Sequence, residues 1–288
     1  MDVSINQVLR LGQQKLKRNG NDNCVTEANI LFGYSANKTL ENIFTHPEDR
    51  VSRRTRGKFM QLVERRVGGE PISYICERSC FYSNEYIIKK GVFIPRPETE
   101  VLVGVVISEV KKNRSGKLIC LDMCTGSGCV GLTIAKEVAV NIKKVFLVDN
   151  SLKALQCCRD NQKAMGLEKK TRLLRSNLFQ SIPRIKFDYI CANPPYIDRG
   201  EGESLDVSIR QYEPKGALFS GLGGLSHIKK ISSDSTNFLK KNGKIFLEVG
   251  YAQAEETKSL LEVLGYKNVE SFRDLNKIDR VVVGTWKK

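Results

Sequence analysis

From residue 117 onward, short apolar runs typical of buried strands alternate with longer stretches whose apolar residues recur at helical spacing. The predicted strands are 118–123, 144–149, 171–175, 187–192, 244–249, 267–272 and 280–286. The predicted helices between them are 129–138, 151–165, 225–240 and 252–264. This alternation favours an α/β fold, in which a mostly parallel sheet carries helices on both faces.

The first part of the chain has a different pattern. Apolar residues recur at helical spacing over 3–66, which predicts a small helical domain at 1–74. Aromatic and β-branched residues then alternate with polar ones, and Lys89-Lys90-Gly91 fits a turn, so a β-hairpin linker is predicted at 75–95. The remaining residues, 96–288, form the predicted sheet domain.

Basic residues outnumber acidic ones by 47 to 32, and the formal net charge is +15. A strongly basic chain favours a polyanionic partner, but here the excess is spread along the sequence instead of forming a basic arm. One local cluster is formed by Arg53, Arg54, Arg56, Lys58, Arg65 and Arg66. We predict that it is either a solvated helix face or a docking surface for an acidic or ribosome-associated protein.

The nine cysteines follow no recurring metal-binding spacing, and the two histidines, His46 and His227, lie far from any cysteine pair. A zinc site is therefore not expected, whereas free thiols in a reducing cytoplasm are. No stretch has the ~20 apolar residues that a membrane helix needs. The basic first helix has too little serine for a typical organellar targeting peptide, so a cytoplasmic location is favoured over an organellar matrix.

A glycine-rich turn follows the first strand of the predicted sheet, with the sequence Asp122-Met123-Cys124-Thr125-Gly126-Ser127-Gly128. Glycines let the backbone approach a ligand closely, and the pattern continues to Gly131, which fits a dinucleotide as well as S-adenosylmethionine. Asp122, at the start of the turn, favours the methyl donor. Asp149 ends the next strand, where a carboxylate either accepts both ribose hydroxyls or caps the following helix, a role that also suits Ser151.

The segment Asn193-Pro194-Pro195-Tyr196 follows the strand predicted at 187–192. It is either an ordinary proline turn or a binding site for a planar amine. In the second interpretation, the Asn193 side-chain oxygen and the Pro194 carbonyl accept hydrogen bonds, and Tyr196 adds a flat wall. These groups together hold an NH2 group edge-on. The segment is typical of methyltransferases that modify an amine conjugated to a planar system, either an adenine or a carboxamide.

With these motifs the chain resembles, over nearly its whole length, the peptide-chain release factor glutamine methyltransferases of bacteria and organelles, the HemK-type family. The most specific marks are Gly69-Glu70-Pro71-Ile72, Ile94 to Glu100, Asp122 to Gly128, Asn193 to Tyr196, Tyr212-Glu213-Pro214, and Arg273-Asp274 with Arg280. The resemblance implies a helical substrate-docking domain, a hairpin linker and a Rossmann-like class I methyltransferase domain with seven strands, the last antiparallel. It also implies methyl transfer from S-adenosylmethionine to the Gly-Gly-Gln loop of class 1 release factors, giving N5-methylglutamine.

The resemblance assigns roles to individual residues. The implied cofactor-binding residues are Asp122, Cys124, Thr125, Gly126, Ser127, Gly128, Asp149, Asn177, Leu178 and Asn193. The implied substrate-binding residues are Asn193, Pro194, Pro195 and Tyr196, of which Asn193 and Pro194 are catalytic. Two of these positions depart from the family, because Cys124 stands at a usual glycine and Asn177 at a usual acid. We expect both departures to affect cofactor affinity and not cofactor identity.

Other functions share part of the pattern. A DNA adenine N6-methyltransferase has the Asn-Pro-Pro-Tyr segment but usually needs a base-reading domain. A ribosomal-protein glutamine methyltransferase differs at Arg96-Pro97-Glu98-Thr99-Glu100, a nicotinamide oxidoreductase fits the glycine pattern alone, and an inactive binding module would explain Cys124 and Asn177. We expect a monomeric enzyme with no metal, no direct nucleic-acid partner, no membrane and no histidine near its site.

Overall fold

The computed structural model describes residues 3–113 and 116–288. Contacts divide the chain into two compact units, the first being Met1–Arg78 with Asp206–Tyr212 and the second Ser79–Leu205 with Glu213–Lys288. The domains predicted at 1–74, 75–95 and 96–288 stay a prediction. Residues 1, 2, 114 and 115 of those ranges lie outside the described residues.

The first unit is mainly helical. Its elements up to residue 78 are β1 (Val3–Ser4), α1 (Ile5–Arg18), α2 (Cys24–Ala36), α3 (Leu40–Thr45), β2 (Arg50–Val51), α4 (Arg53–Val67) and α5 (Ile72–Ile75). Ser4 begins α1 with a capping box, because its hydroxyl accepts from Gln7 N while the Gln7 side chain accepts from Ser4 N. The apolar residues that predicted these helices form one buried cluster around Leu31, Phe32 and Phe59.

The predicted hairpin is formed by β3 (Arg78–Phe81) and β4 (Asn84–Ile87). Its chain reversal lies at Tyr82 and Ser83, with φ angles of 49° and 58°. A carboxylate oxygen of Glu100 accepts from Tyr82 N at 2.7 Å, which stabilises this uncommon turn. A turn is also present at Lys89-Lys90-Gly91, since Val92 N donates to Lys89 O, but it does not connect the two strands. The sequence did not reveal the reversal because neither Tyr nor Ser is typical of left-handed backbone.

The second unit contains the sheet domain. Its further elements, together with α9 of the first unit, are α6 (Thr99–Lys112), β5 (Leu118–Met123), α7 (Cys129–Glu137), β6 (Ile142–Asp149), α8 (Leu152–Ala164), β7 (Thr171–Arg175), β8 (Phe187–Ala192), β9 (Ile197–Asp198), a 3₁₀ helix (Arg199–Ser204), α9 (Val207–Tyr212), α10 (Lys215–Leu218), β10 (Phe219–Ser220), α11 (Ser226–Ser235), β11 (Leu239–Glu248), α12 (Ala254–Val263), β12 (Lys267–Arg273) and β13 (Asp279–Thr285).

Within the described residues, seven strands form one sheet in the order β12-β13-β11-β8-β5-β6-β7. The pairs from β11 to β7 are parallel, whereas β13 runs antiparallel to both β11 and β12. The predicted α/β fold with an antiparallel last strand is confirmed. The chain leaves β5 first toward β7 and then returns to the other side through β8, so the strand order changes direction beside β5. Open α/β sheets bind ligands in the crevice at such a point.

The strands are buried because helices cover both faces of the sheet. Leu121, Ile190 and Leu247 come from three neighbouring strands, and each is fully buried in one apolar cluster. Among residues 3–113 and 116–288, no helix has both the length and the hydropathy for crossing a bilayer.

Candidate active site

A cavity of about 280 Å³ lies in the second unit, at the carboxyl ends of β5, β6 and β8. With one exception, the predicted site residues line it: Asp122, Cys124, Thr125, Gly126, Ser127, Asp149, Asn177, Leu178, Asn193, Pro194, Pro195 and Tyr196. The exception is Gly128, where an added Cβ would lie 2.6 Å from the Cys158 sulfur. Gly128 therefore lets the loop pack against α8 and does not form part of the cavity wall.

Asp122 holds the glycine-rich loop together. One of its carboxylate oxygens, Oδ2, accepts from the Thr125 hydroxyl at 2.5 Å and from Gly131 N at 2.9 Å. The side chain is almost completely buried, and this burial raises its pKa to about 7. Two donors shared by one oxygen fix the path of the loop around the carboxylate, so Asp122 shapes this wall of the cavity.

Asp149 binds two backbone groups at the next strand end. Its Oδ2 accepts from Gly126 N at 2.9 Å and its Oδ1 from Ser151 N at 2.9 Å. Ser151 is the cap of α8, because its hydroxyl accepts from Ala154 N. Burial raises the Asp149 pKa, and its hydrogen bonds to backbone N–H groups oppose that rise. Asp149 thus links the glycine-rich loop to the start of α8 and still lines the cavity.

The two positions at which the sequence departs from the family both belong to the wall. Cys124 adopts a φ of 61°, in the left-handed region that favours glycine. Leu178, which follows Asn177, has a φ of 49°. Asn177 is exposed and Leu178 is buried, and both line the cavity. A glycine at the position of Cys124 would adopt this backbone conformation without strain.

The Asn193-Pro194-Pro195-Tyr196 segment directly follows β8, as predicted. The Asn193 Nδ2 donates to the Thr99 hydroxyl at 3.0 Å. Tyr196 packs on the sheet core, with its hydroxyl 3.5 Å from Glu248 Oε1. Burial raises the Tyr196 pKa, so the phenol stays neutral at physiological pH.

Two residues outside this segment fix its backbone. The Gln253 side-chain nitrogen donates to the Tyr196 carbonyl at 2.9 Å, while its oxygen accepts from Gly250 N at 2.9 Å. Gly224 has a φ of 84°, and a Cβ there would lie 2.0 Å from the Tyr196 carbonyl oxygen. Only a residue without a side chain fits at this position.

Another part of the wall is held by an ion pair between a buried carboxylate and a half-buried arginine. Glu213 accepts from the Arg96 guanidinium and, at 3.2 Å, from Ile94 N. Phe93 and Pro95, which flank Ile94 in the sequence, line the cavity. The segment 216–218, which follows Glu213 closely, lines it as well. The pair therefore fastens two wall segments that are far apart in the sequence.

The expectation that no histidine lies near the site is wrong. His227 lines the cavity, and its Nδ1 lies 2.8 Å from the Ser220 hydroxyl oxygen. Burial lowers its pKa, so the ring is neutral at physiological pH. The sequence did not reveal it because His227 belongs to the first turn of α11, which is distant in the sequence from every recognised ligand motif. Thr99, Glu248 and Gln253 were missed for a similar reason, since each belongs to an element that contains no recognised ligand motif.

Among the residues that the structure describes, no group of three or more His, Cys, Asp or Glu side chains is arranged to hold a metal ion. The predicted absence of a metal stays a prediction.

Comparisons with known proteins agree with this architecture. Residues 7–76 match the PrmC N-terminal domain, and residues 90–211 match the methyltransferase small domain. The release factor glutamine methyltransferase of Clostridium acetobutylicum is 32% identical over 283 residues, which cover 98% of each chain.

Two further similarities are more limited. The bifunctional methyltransferase of Rickettsia prowazekii is 34% identical over 98% of this chain, but the chain spans only 57% of that relative's length. The solved structure of the T. thermophilus 16S rRNA N2 G1207 methyltransferase RsmC, in complex with AdoMet and guanosine, has a TM-score of 0.52 at 17% identity, covering 73% of this chain and 50% of that chain. At this identity, the likeness to the solved structure shows the fold alone.

Proposed function

Since the chain belongs to the release factor glutamine methyltransferase family, we propose that it transfers a methyl group from S-adenosylmethionine to the side-chain amide of a glutamine in a class 1 peptide-chain release factor. The glutamine of the Gly-Gly-Gln loop is the target, and N5-methylglutamine is the product. The observation that carries the proposal is the position of Asn193 and Pro194 on the wall that also includes the glycine-rich loop.

The residues around the cavity fit S-adenosylmethionine. A carboxylate, Asp149, lies at the end of β6, where it is able to accept from ribose hydroxyls, and Asn177 and Leu178 offer an amide and an apolar surface for adenine. The loop from Asp122 to Gly126 would hold the methionine part, and Cys124 would be next to it on the cavity wall. When bound, the cofactor supplies an electrophilic methyl group on a sulfonium.

The protein residues mainly align the target. An amide nitrogen is a poor nucleophile because its lone pair is delocalised, and good alignment lowers such a barrier by about 7–11 kcal/mol. The Asn193 Oδ1 and the Pro194 carbonyl accept the two amide hydrogens and stabilise the positive charge that develops on nitrogen. No general base is needed, because an N-protonated amide loses its proton to water.

Partners and surroundings are part of the same proposal. The first unit docks the release factor, the enzyme works as a monomer without a metal, and neither nucleic acid nor a membrane is bound. A cytoplasmic location suits this role because release factors act on ribosomes. The cysteines, all unpaired in the structure, suit a reducing compartment.

The test offers the purified full-length protein a labelled methyl donor and an intact release factor. We expect one methyl group on the glutamine of the Gly-Gly-Gln loop, located by mass spectrometry of tryptic peptides. Duplex DNA and ribosomal protein, offered in parallel, should stay unlabelled. Label on either of these, with none on the release factor, would refute the proposal.

Asn193→Ala should lower kcat by about 10²–10³, because it removes an acceptor that matters most in the transition state. Asn177→Ala is the matched control, since it truncates another asparagine of the same cavity. It should raise the KM for the methyl donor and leave kcat nearly unchanged.

A further inference from the structure

The side-chain amide of Asn193 has two different ends, and the reaction needs only one of them to face the substrate. Its Nδ2 is a donor and its Oδ1 an acceptor. An amide substrate whose two hydrogens must be held requires the acceptor. If the side-chain amide were rotated by 180°, the Asn193 Nδ2 would face the NH2 group of the substrate. Both groups are hydrogen-bond donors, so no hydrogen bond could form between them.

Thr99 determines which end of the Asn193 amide forms a hydrogen bond with the protein. Its hydroxyl oxygen lies 3.0 Å from Asn193 Nδ2, and the side chain is almost completely buried at the start of α6. A hydroxyl has one proton to donate and lone pairs with which to accept. By itself, Thr99 could therefore bond to either end of the amide, and the choice depends on where its proton goes.

Glu248 provides the place for that proton. Its carboxyl lies at the end of β11, the strand next to β8, and is buried, and the Thr99 hydroxyl lowers its pKa against the effect of burial. Its Oε1 is 3.5 Å from the Tyr196 hydroxyl, whereas its Oε2 has no hydrogen-bond partner within the described part of the chain. An ionised carboxylate can only accept. A Thr99 hydroxyl that donates its proton to this carboxyl has only lone pairs left for Asn193, and it then accepts from Nδ2.

We propose that Thr99 and Glu248 are positioning residues, which orient the Asn193 amide so that its Oδ1 and not its Nδ2 faces the substrate. The role of this orientation in methyl transfer rests on the proposed function. The orientation itself does not, because it follows from hydrogen bonds within the protein. This assignment also gives a role to the threonine of the Arg96 to Glu100 segment.

The charged and titratable groups that face Glu248 come from several elements. Burial raises the Glu248 pKa to about 7, against the hydrogen bond from Thr99 and the charge of Arg280 on β13, while Glu98 raises it further and Tyr196 lowers it. As the pH rises through this value, Glu248 loses its proton, and the carboxylate becomes a stronger hydrogen-bond acceptor. Turnover should therefore rise with pH around 7 in the parent, and Glu248→Gln should remove that rise.

The decisive variants alter the Thr99 hydroxyl with little change in shape. Thr99→Val should lower kcat by up to about tenfold, the size of one hydrogen bond, with little change in methyl-donor affinity. Thr99→Ser keeps the hydroxyl and should restore most of kcat. Thr257→Val is the matched control, because Thr257 is also fully buried but its hydroxyl has no partner in the described residues. It should behave as the parent does.

A second readout does not depend on activity. The side-chain NH2 signals of Asn193, assigned by their loss in Asn193→Asp, should exchange slowly with solvent in the parent. In Thr99→Val this exchange should become about tenfold faster, since Nδ2 loses its acceptor. The exchange in Thr257→Val should match the parent.

The two readouts separate the two proposals. If the parent methylates no release factor but the exchange changes as expected, the proposed function fails and the orientation of Asn193 stands. If the parent is active while Thr99→Val keeps both parental kcat and parental exchange, the positioning role is overturned. Failure of Thr99→Ser to recover kcat, with its methyl-donor affinity intact, would also overturn it.

Discussion

Single residues of the cavity wall adopt backbone conformations that most side chains avoid. Cys124 and Leu178 both have positive φ angles, and they flank the region in which we propose that the cofactor binds. For an L-residue the left-handed region costs roughly 1–2 kcal/mol, so each of these positions carries local strain. Strain of this kind is retained only where the surrounding contacts fix the backbone.

Replacing Cys124 by glycine should relieve the strain and enlarge the cavity. We expect the free energy of unfolding to rise by up to about 1 kcal/mol, because glycine's greater freedom in the unfolded chain offsets part of the gain. S-adenosylmethionine should also bind more tightly, since the thiol no longer narrows the wall. Denaturant unfolding and isothermal titration measure the two effects.

Lys277→Gly is the matched control for this variant. Lys277 has a φ of 64° on an exposed loop and does not line the cavity. It should gain similar stability with no change in cofactor affinity. An unchanged affinity in Cys124→Gly would show that the thiol does not crowd the cofactor.

The residues that the sequence revealed are those whose neighbours in the chain share their role. The glycine-rich loop and the Asn193 segment are contiguous, and each follows a strand whose apolar pattern is clear. Thr99, Glu248 and Gln253 could not be found in this way, because each acts through a contact between distant parts of the chain. A buried glutamate at a strand end has no local pattern that distinguishes it from a solvated one.

At the level of elements, two arrangements of charge stand out. The ion pair of Glu213 with Arg96 holds two wall segments of the cavity. Separately, helix α4 has positive side chains at its N-terminus, where the helix dipole is also positive. Glu213 joins Arg96 to Ile94 N, and its side chain is almost completely buried. The first turn of α4 contains Arg53 and Arg54 and no acidic residue, although the start of a helix favours negative charge. Neither arrangement could be predicted from secondary-structure patterns, since one is a tertiary contact and the other opposes a local preference.

Glu213→Gln should weaken cofactor binding by loosening the segments on either side of the pair. A hydrogen bond to a charged group contributes about 1.5–3 kcal/mol, so an affinity loss of about tenfold or more is expected by isothermal titration. Glu70→Gln is the control. Glu70 is also 5% exposed and paired with an arginine, Arg65, but it belongs to the first unit. If both variants lost affinity equally, the effect would reflect general destabilisation.

Reversing Arg53, Arg54 and Arg56 to glutamate tests the docking surface. The start of α4 should become more stable, by about 0.3–1 kcal/mol for each acid in the first turn. Association with the release factor should nevertheless slow at low salt and recover as salt screens the exposed charges. Stopped-flow association and thermal unfolding measure these opposite effects.

The control reverses Lys15, Lys17 and Arg18 in the last turn of α1, which changes the net charge equally. This triple variant should lose stability, because acids oppose the dipole at a helix end, and it should associate more nearly at the parental rate. Equal on-rates for the α4 variant and the parent at low salt would favour the solvated-face interpretation.

For the whole molecule, two buried carboxyls make stability depend on pH near neutrality. Burial raises the pKa of both Asp122 and Glu248 to about 7, whereas such groups titrate near 4 in an unfolded chain. Between these values the folded state keeps protons that the unfolded state releases. The free energy of unfolding should therefore fall as the pH rises from about 4.5 to 7.

Glu248→Gln should reduce this fall by up to about 1.4 kcal/mol per pH unit, because it removes one proton that the folded state retains. Denaturant unfolding of the ligand-free protein at several pH values measures the slope. Glu109→Gln is the control: burial raises its pKa, but Lys112 and Lys244 lower it further, to below the usual value. Its slope over the same pH range should equal that of the parent.

The fold as a whole was predictable because its strands are continuous apolar runs separated by amphipathic helices. All seven predicted strands occur in the sheet, and their bounds agree within a few residues at most ends. The short elements between Ile197 and Ser220 were not predicted. They are too short for periodicity to detect, and their conformation depends on contacts between distant residues, such as the parallel pairing of β9 with β10.

The sheet order has a consequence for the chain as it leaves the ribosome. β8 lies between β5 and β11, yet β11 begins at Leu239, long after β8 ends at Ala192. During synthesis one edge of β8 therefore has no strand to pair with, and an open edge invites pairing with other chains. A truncated transcript that ends before β11 yields a protein fragment that contains the glycine-rich loop and Asn193. In this fragment, one edge of β8 has no partner strand. Such a fragment should be cleared by chaperones and proteases instead of competing with the finished enzyme.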